Sequence, residues 1–131
     1  MGNPTMNFIP AQVEGIEGGR VTLSLLGRKA VFTAEGAIQN LGKQAIVGVR
    51  PEFLPIREGG ALAAAIYSTL PAGMETTVKA SCGDTMLTSV VFGSVDYPVD
   101  TQVRMDVVGD SIVLFDAESK KNVGVGKLEF A

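Results

Sequence analysis

Few residues of this chain have the types and spacing that chemistry needs, and the first candidate is Gly124-Val125-Gly126-Lys127. A phosphate loop requires Gly, four residues and then Gly-Lys-Ser/Thr at the start of a helix, so that backbone N–H groups cradle the phosphates. Here position 121 is Lys rather than Gly, and Leu128 follows the lysine. Only the Gly-Lys pair fits, and Lys120, Lys121 and Lys127 read as a solvated basic tail. Asp96, Asp100, Asp106 and Asp110 could supply carboxylates for a metal or for acid–base work. Their neighbours Pro98, Thr101 and Gly109 make three of them turn residues and one a strand exterior, with no second signature beside them. The chain has no His, which removes the commonest general base, the Ser-His-Asp arrangement and most zinc sites. Cys82 stands alone, so no internal disulfide or cysteine-cluster metal site can form. It falls on the inward phase of its strand, where a thiol acts as a small hydrophobe. The two Tyr and six Phe are scattered and read as core rather than as a base-stacking face. No catalytic or metal-binding residue is expected.

The elements that would position these groups are strands. Val21, Leu23 and Leu25 alternate with Thr22 and Ser24; Val78, Ala80 and Cys82 with Thr77, Lys79 and Ser81; Val103, Met105 and Val107 with Gln102, Arg104 and Asp106. Each run is a half-buried strand with one face on a core. Gly18-Gly19, Gly27-Arg28, Gly83-Asp84 and Gly109-Asp110 supply the positive φ of tight hairpin turns. The pattern predicts about nine strands, near residues 11–17, 20–26, 29–33, 45–50, 62–69, 75–82, 85–92, 102–108 and 111–115. Residues 61–66 have high helix propensity, but Tyr67, Ser68 and Thr69 continue them as a strand. The longest loop is residues 34–44, and Arg57-Glu58-Gly59-Gly60 reads as a linker between two halves. Many short strands with tight turns argue for an all-β chain of small barrels or a sandwich. It divides into sub-bundles at about 6–56 and 61–122, with residues 1–5 and 123–131 as tails.

Val47-Gly48-Val49-Arg50-Pro51-Glu52 is the most specific stretch. Val-Gly-Val reads as the end of a buried strand, and Pro51 forces Arg50 into an extended conformation. Proline at a first helical position with an acidic residue after it suits a short helical turn, so Pro51, Glu52, Phe53 and Leu54 should cap the strand.

At 131 residues the chain is one domain or two small subdomains, and with 46% hydrophobic and 19% charged residues its core is feasible and its surface sparsely charged. A formal charge of −3 gives no electrostatic case for nucleic acid. No run approaches the roughly 18 apolar residues of a membrane span. Met1-Gly2-Asn3-Pro4 lacks the regions of a signal peptide, and Met6 breaks a myristoylation motif, so a cytoplasmic location is expected.

Four landmarks in order resemble a known family. They are Gly2-Asn3-Pro4-Thr5-Met6-Asn7-Phe8, the stretch from Val47 to Glu52, Gly73-Met74-Glu75-Thr76, and Val113-Leu114-Phe115-Asp116 followed by Ala117-Glu118-Ser119. Together they are similar to the C-terminal regulatory region of ATP-binding subunits of ABC importers for sugars, polyols and glycerol phosphates. Met74, Phe53, Val99 and Lys120 depart from the family pattern and loosen any assignment of the solute. The resemblance implies a transport-associated regulatory domain built of OB-like (oligonucleotide/oligosaccharide-binding-like) barrels. It implies a partner in a second copy of the same subunit, contact with transmembrane permease subunits through the parent polypeptide, and in some members a regulatory protein. The location would be cytoplasmic and peripheral to the membrane. Such a fragment holds no cofactor and is no enzyme itself; ATP and Mg²⁺ would belong to the parent. Arg50, Pro51, Glu52, Phe53 and Glu75 are then the candidate corner and partner-interface residues. The competing reading is a free-standing oxyanion-binding barrel similar to molybdate-binding domains.

Overall fold

The computed structural model describes residues 6–131. The landmark at residues 2–8 therefore lies mostly outside the described residues, as does the tail expected at 1–5. The described chain is nearly all β, as its alternation predicts. Ten strands and one short 3₁₀ turn fall into two compact units, one taking in Phe8–Val49 and Val108–Ala131 and the other Arg50–Val107 together with Asn7, the first residue of the first strand.

The first unit is a closed six-stranded barrel. Its strands are β1 (Asn7–Glu17), β2 (Arg20–Leu25), β3 (Arg28–Ala34), β4 (Gln44–Val49), β9 (Ile112–Asp116) and β10 (Asn122–Phe130), in the order β1-β2-β3-β10-β9-β4. Period-two alternation fills the interior: Val21, Leu23, Phe32, Ile112 and Leu114 are fully buried between less buried strand neighbours, and Val47 is buried in β4 together with Gly48 and Val49. The β2–β3 turn centres on Leu26-Gly27 rather than Gly27-Arg28, because Leu25 pairs with Arg28. Both turn residues adopt positive φ (53° and 74°), the requirement of a type I′ hairpin, so Leu26 takes a conformation unusual for its type.

The segment expected as a tail is β10, which pairs with both β3 and β9 and completes the barrel wall. Its glycines explain why it resembles a loop. A Cβ on Gly126 would collide with the carbonyl oxygen of Thr33 and lie 3.0 Å from the Ala34 Cα. On Gly124 a Cβ would meet Ile38 Cδ1 at 2.7 Å. These two residues are glycine so that β3 and the 35–43 loop can close over the strand.

The second unit is a four-stranded antiparallel sheet in the order β7-β6-β5-β8, formed by β5 (Leu62–Ala72), β6 (Glu75–Cys82), β7 (Thr85–Phe92) and β8 (Gln102–Met105). The alanine-rich segment is strand, as expected, with a bulge at Tyr67 between Ile66 and Ser68. One face buries Leu62, Ile66, Val78, Ala80, Leu87 and Met105 together with Leu54. The linker expected at residues 57–60 lies inside this unit. Gly60 is buried there, and a Cβ on it would stand 2.7 Å from the Met105 carbonyl carbon. The chain crosses from barrel to sheet after Val49 and returns after Val107. The barrel is thus built from both ends of the sequence, which is why a division into successive halves does not describe it.

Candidate functional site

The corner forms where the sequence places it. β4 ends at Val49, and Arg50 is extended (φ −67°, ψ 148°), as the following proline demands. Pro51, Glu52 and Phe53 make a single 3₁₀ turn, in which Phe53 N–H donates to the Arg50 carbonyl (2.9 Å) and Leu54 N–H to that of Pro51 (3.2 Å). Pro51 and Leu54 are buried and anchor the turn in the core of the second unit, whereas Arg50 and Glu52 face solvent and Phe53 is half-buried. Neither Arg50 nor Glu52 enters an ion pair among the described residues; the two pairs found there are Lys29–Glu14 (3.2 Å) and Arg57–Asp106 (2.8 Å). Glu75 lies apart from the corner, at the start of β6, exposed and paired in the ladder with Ala72 and Phe92.

Asp116, the last residue of the Leu-Phe-Asp landmark, is the best-connected carboxylate. Its Oδ1 accepts from Gly42 N–H (2.8 Å) and its Oδ2 from Ser119 N–H (2.9 Å). These bonds to Ser119 and Gly42 favour the charged form and hold the carboxyl below the usual carboxylate range, against a smaller opposing effect of burial. The side chain ties the 35–43 loop to the β9–β10 turn. The sequence marked Asp116 as part of a landmark, and the long loop carried no signal of what held it. Asn7 has a comparable role in the second unit: its carboxamide donates to the Thr88 carbonyl (2.9 Å) and accepts from Thr88 N–H (2.7 Å), covering one position on the edge of β7.

The remaining chemical candidates disperse. Asp106 pairs with Arg57, and Asp100 sits in a turn at φ 72°. No group of three or more His, Cys, Asp or Glu among the described residues could hold a metal ion. Cys82 is buried, and that burial pushes its thiol up, away from reactivity. Ser89 is fully buried, and its hydroxyl has no hydrogen-bond partner. No described helix is long and apolar enough to cross a membrane.

What the surface offers instead is apolar area. On the barrel, Phe8 meets Phe115 edge-on (centroids 6.0 Å, 62°) beside Ile46 and Lys120, around a cavity of about 350 Å³. On the sheet, Leu70 is 65% exposed and Phe92 80%, on the face opposite the core.

Residues 2–54 match the MalK OB fold domain. The chain is 28% identical over 130 residues to the sulfoquinovosyl glycerol transport ATP-binding protein SmoE of Agrobacterium fabrum, an alignment covering 94% of this chain and 35% of that protein. It is 48% identical over 63 residues to the lactose transport ATP-binding protein LacK of Rhizobium radiobacter, covering 45% of this chain and 17% of that protein. The chain therefore spans about a third or less of the curated relatives it matches.

Proposed function

We propose, from a chain whose residues 2–54 carry the MalK-type OB fold and which resembles sugar-importer ATP-binding subunits, that these 131 residues are the non-catalytic regulatory and dimerisation domain of such a subunit. The observation that carries this reading is the alignment of 94% of the chain with a transport ATP-binding protein, joined to an all-β fold that leaves large apolar side chains such as Leu70 and Phe92 exposed. The sequence contains no phosphate loop, so ATP turnover belongs to the rest of the polypeptide. The partners are a second copy of the subunit and the permease through which a sugar-type solute enters, and the complex lies at the cytoplasmic face of the membrane. Pro51 and Leu54 fix the geometry of the corner that leads out of β4 and leave Arg50 and Glu52 exposed on it.

The test is deletion of these residues from the full-length polypeptide. Nucleotide binding should survive, and subunit dimerisation should weaken. Unchanged dimerisation, or lost nucleotide binding, refutes the reading.

A further inference from the structure

The strand register of the second unit fixes which residues share the outer face of its sheet. Ala72, Glu75 and Phe92 form one cross-strand row; Leu70, Thr77 and Val90 the next; Ser68, Lys79 and Thr88 the third; Ala65, Ser81 and Met86 the fourth. This face carries two charges on its central strand, Glu75 and Lys79, both exposed and neither in an ion pair among the described residues. They stand four residues apart on β6, about 13 Å along the strand, with Thr77 midway.

That spacing is self-complementary. A two-fold axis running across the strands at Thr77 lays β6 of one copy antiparallel over β6 of the other. Glu75 then faces the other copy's Lys79, and the reverse contact repeats it. The same operation sets Leu70 over Leu70 and Val90 over Val90, and points Phe92 between Thr88 and Met86 of the second copy. Aligned sheets cross at about 30°, which displaces each charge from its partner by only about 3–4 Å, within reach of these long side chains. The four rows span about 27 Å along the strands and about 14 Å across three of them, on the order of 400 Å² per copy or about 800 Å² in total, the size of a weak interface rather than of a stable one.

The geometry points to this outer face of β5, β6 and β7 as an isologous interface with a second copy of the chain, centred on Thr77. This rests on the dimerisation reading above and assigns it to the sheet face rather than to the Arg50 corner. The interface is small, so the isolated chain associates weakly and the rest of the subunit adds to the affinity.

Charge reversal tests the assignment without touching the core. Sedimentation equilibrium of the 131-residue chain, from micromolar to millimolar concentration, is compared with Glu75→Lys, Lys79→Glu and the double reversal. Each single reversal sets like charges against each other twice per dimer and should weaken association at least about tenfold; the double reversal should restore it. In parallel, Thr77→Cys is treated with a short bismaleimide, and a covalent dimer linked through position 77 is expected. Association indifferent to the reversals, failure of the double reversal to rescue, or no self-association with no link at position 77 overturns the proposal. So does protection of this face in a full-length monomer, which assigns it to chain outside these residues. If the deletion described above weakens dimers while the reversals do nothing, this face is wrong and the dimerisation reading stands; if the deletion does nothing, that reading falls too.

Discussion

Replacing Gly126 by alanine tests the closure of the barrel, because the added methyl has no space. Its Cβ would collide with the Thr33 carbonyl oxygen, lie 2.8 Å from the Thr33 carbonyl carbon and stand 3.0 Å from the Ala34 Cα. All three obstacles are backbone atoms of β3 in the ladder with β10, so no side chain can swing aside. Overpacking of this kind costs about 1–3 kcal/mol. Displacing β10 also weakens ladder hydrogen bonds around the Gly126–Ala34 pair, at about 1 kcal/mol each. Against this, alanine loses less backbone entropy than glycine on folding, a gain of about 0.5–1 kcal/mol. The balance is a loss of about 2–4 kcal/mol. Gly15→Ala is the control, since its Cβ would meet nothing within 4 Å and its φ is not positive; it should be neutral or stabilising by up to about 1 kcal/mol. Urea unfolding followed by circular dichroism measures both. A Gly126→Ala midpoint equal to or above the parent's would refute the steric account of β10.

Further expectations concern buried polar groups. Because Asp116 is held below its ordinary range in the folded state, its contribution is present above the unfolded carboxylate value and is lost as pH falls through the folded one. Urea midpoints of the parent and of Asp116→Asn should therefore differ at neutral pH and converge in acid, whereas a pH-independent gap would contradict the carboxylate role. Ser89→Ala should raise stability by about 1 kcal/mol, since it removes a buried hydroxyl without a partner; a destabilised variant would mean that the hydroxyl is satisfied. Cys82 should resist a thiol reagent in the native state and react on unfolding, and rapid native labelling would contradict its burial.

The parts of this fold legible in the sequence are those written in adjacent residues. Val21, Leu23 and Leu25 announce β2, and Val78, Ala80 and Cys82 announce β6, because alternation is local. The corner at Pro51 was equally legible, since proline chemistry acts on its own neighbours. β10 was not. Gly124 and Gly126 weaken any strand signal, and the reason for them is a crowding partner about 90 residues earlier in the chain. The start of β1 at Asn7 was hidden in the same way by Pro10, and Leu26 in a left-handed conformation has no local signature at all. Of the candidate site, Arg50, Pro51, Glu52 and Phe53 were found from type and order, and Glu75 only through a family landmark. Its relation to Lys79 and Phe92 appears once the cross-strand register is known.

The most direct measurement of the central claim is the intact mass and nucleotide binding of the native polypeptide, captured from its source cells with an antibody against this chain. The account predicts a polypeptide close to three times the 13.7 kDa of these residues, binding an ATP analogue outside them. A free-standing 13.7 kDa protein that binds no nucleotide and no second subunit would contradict it.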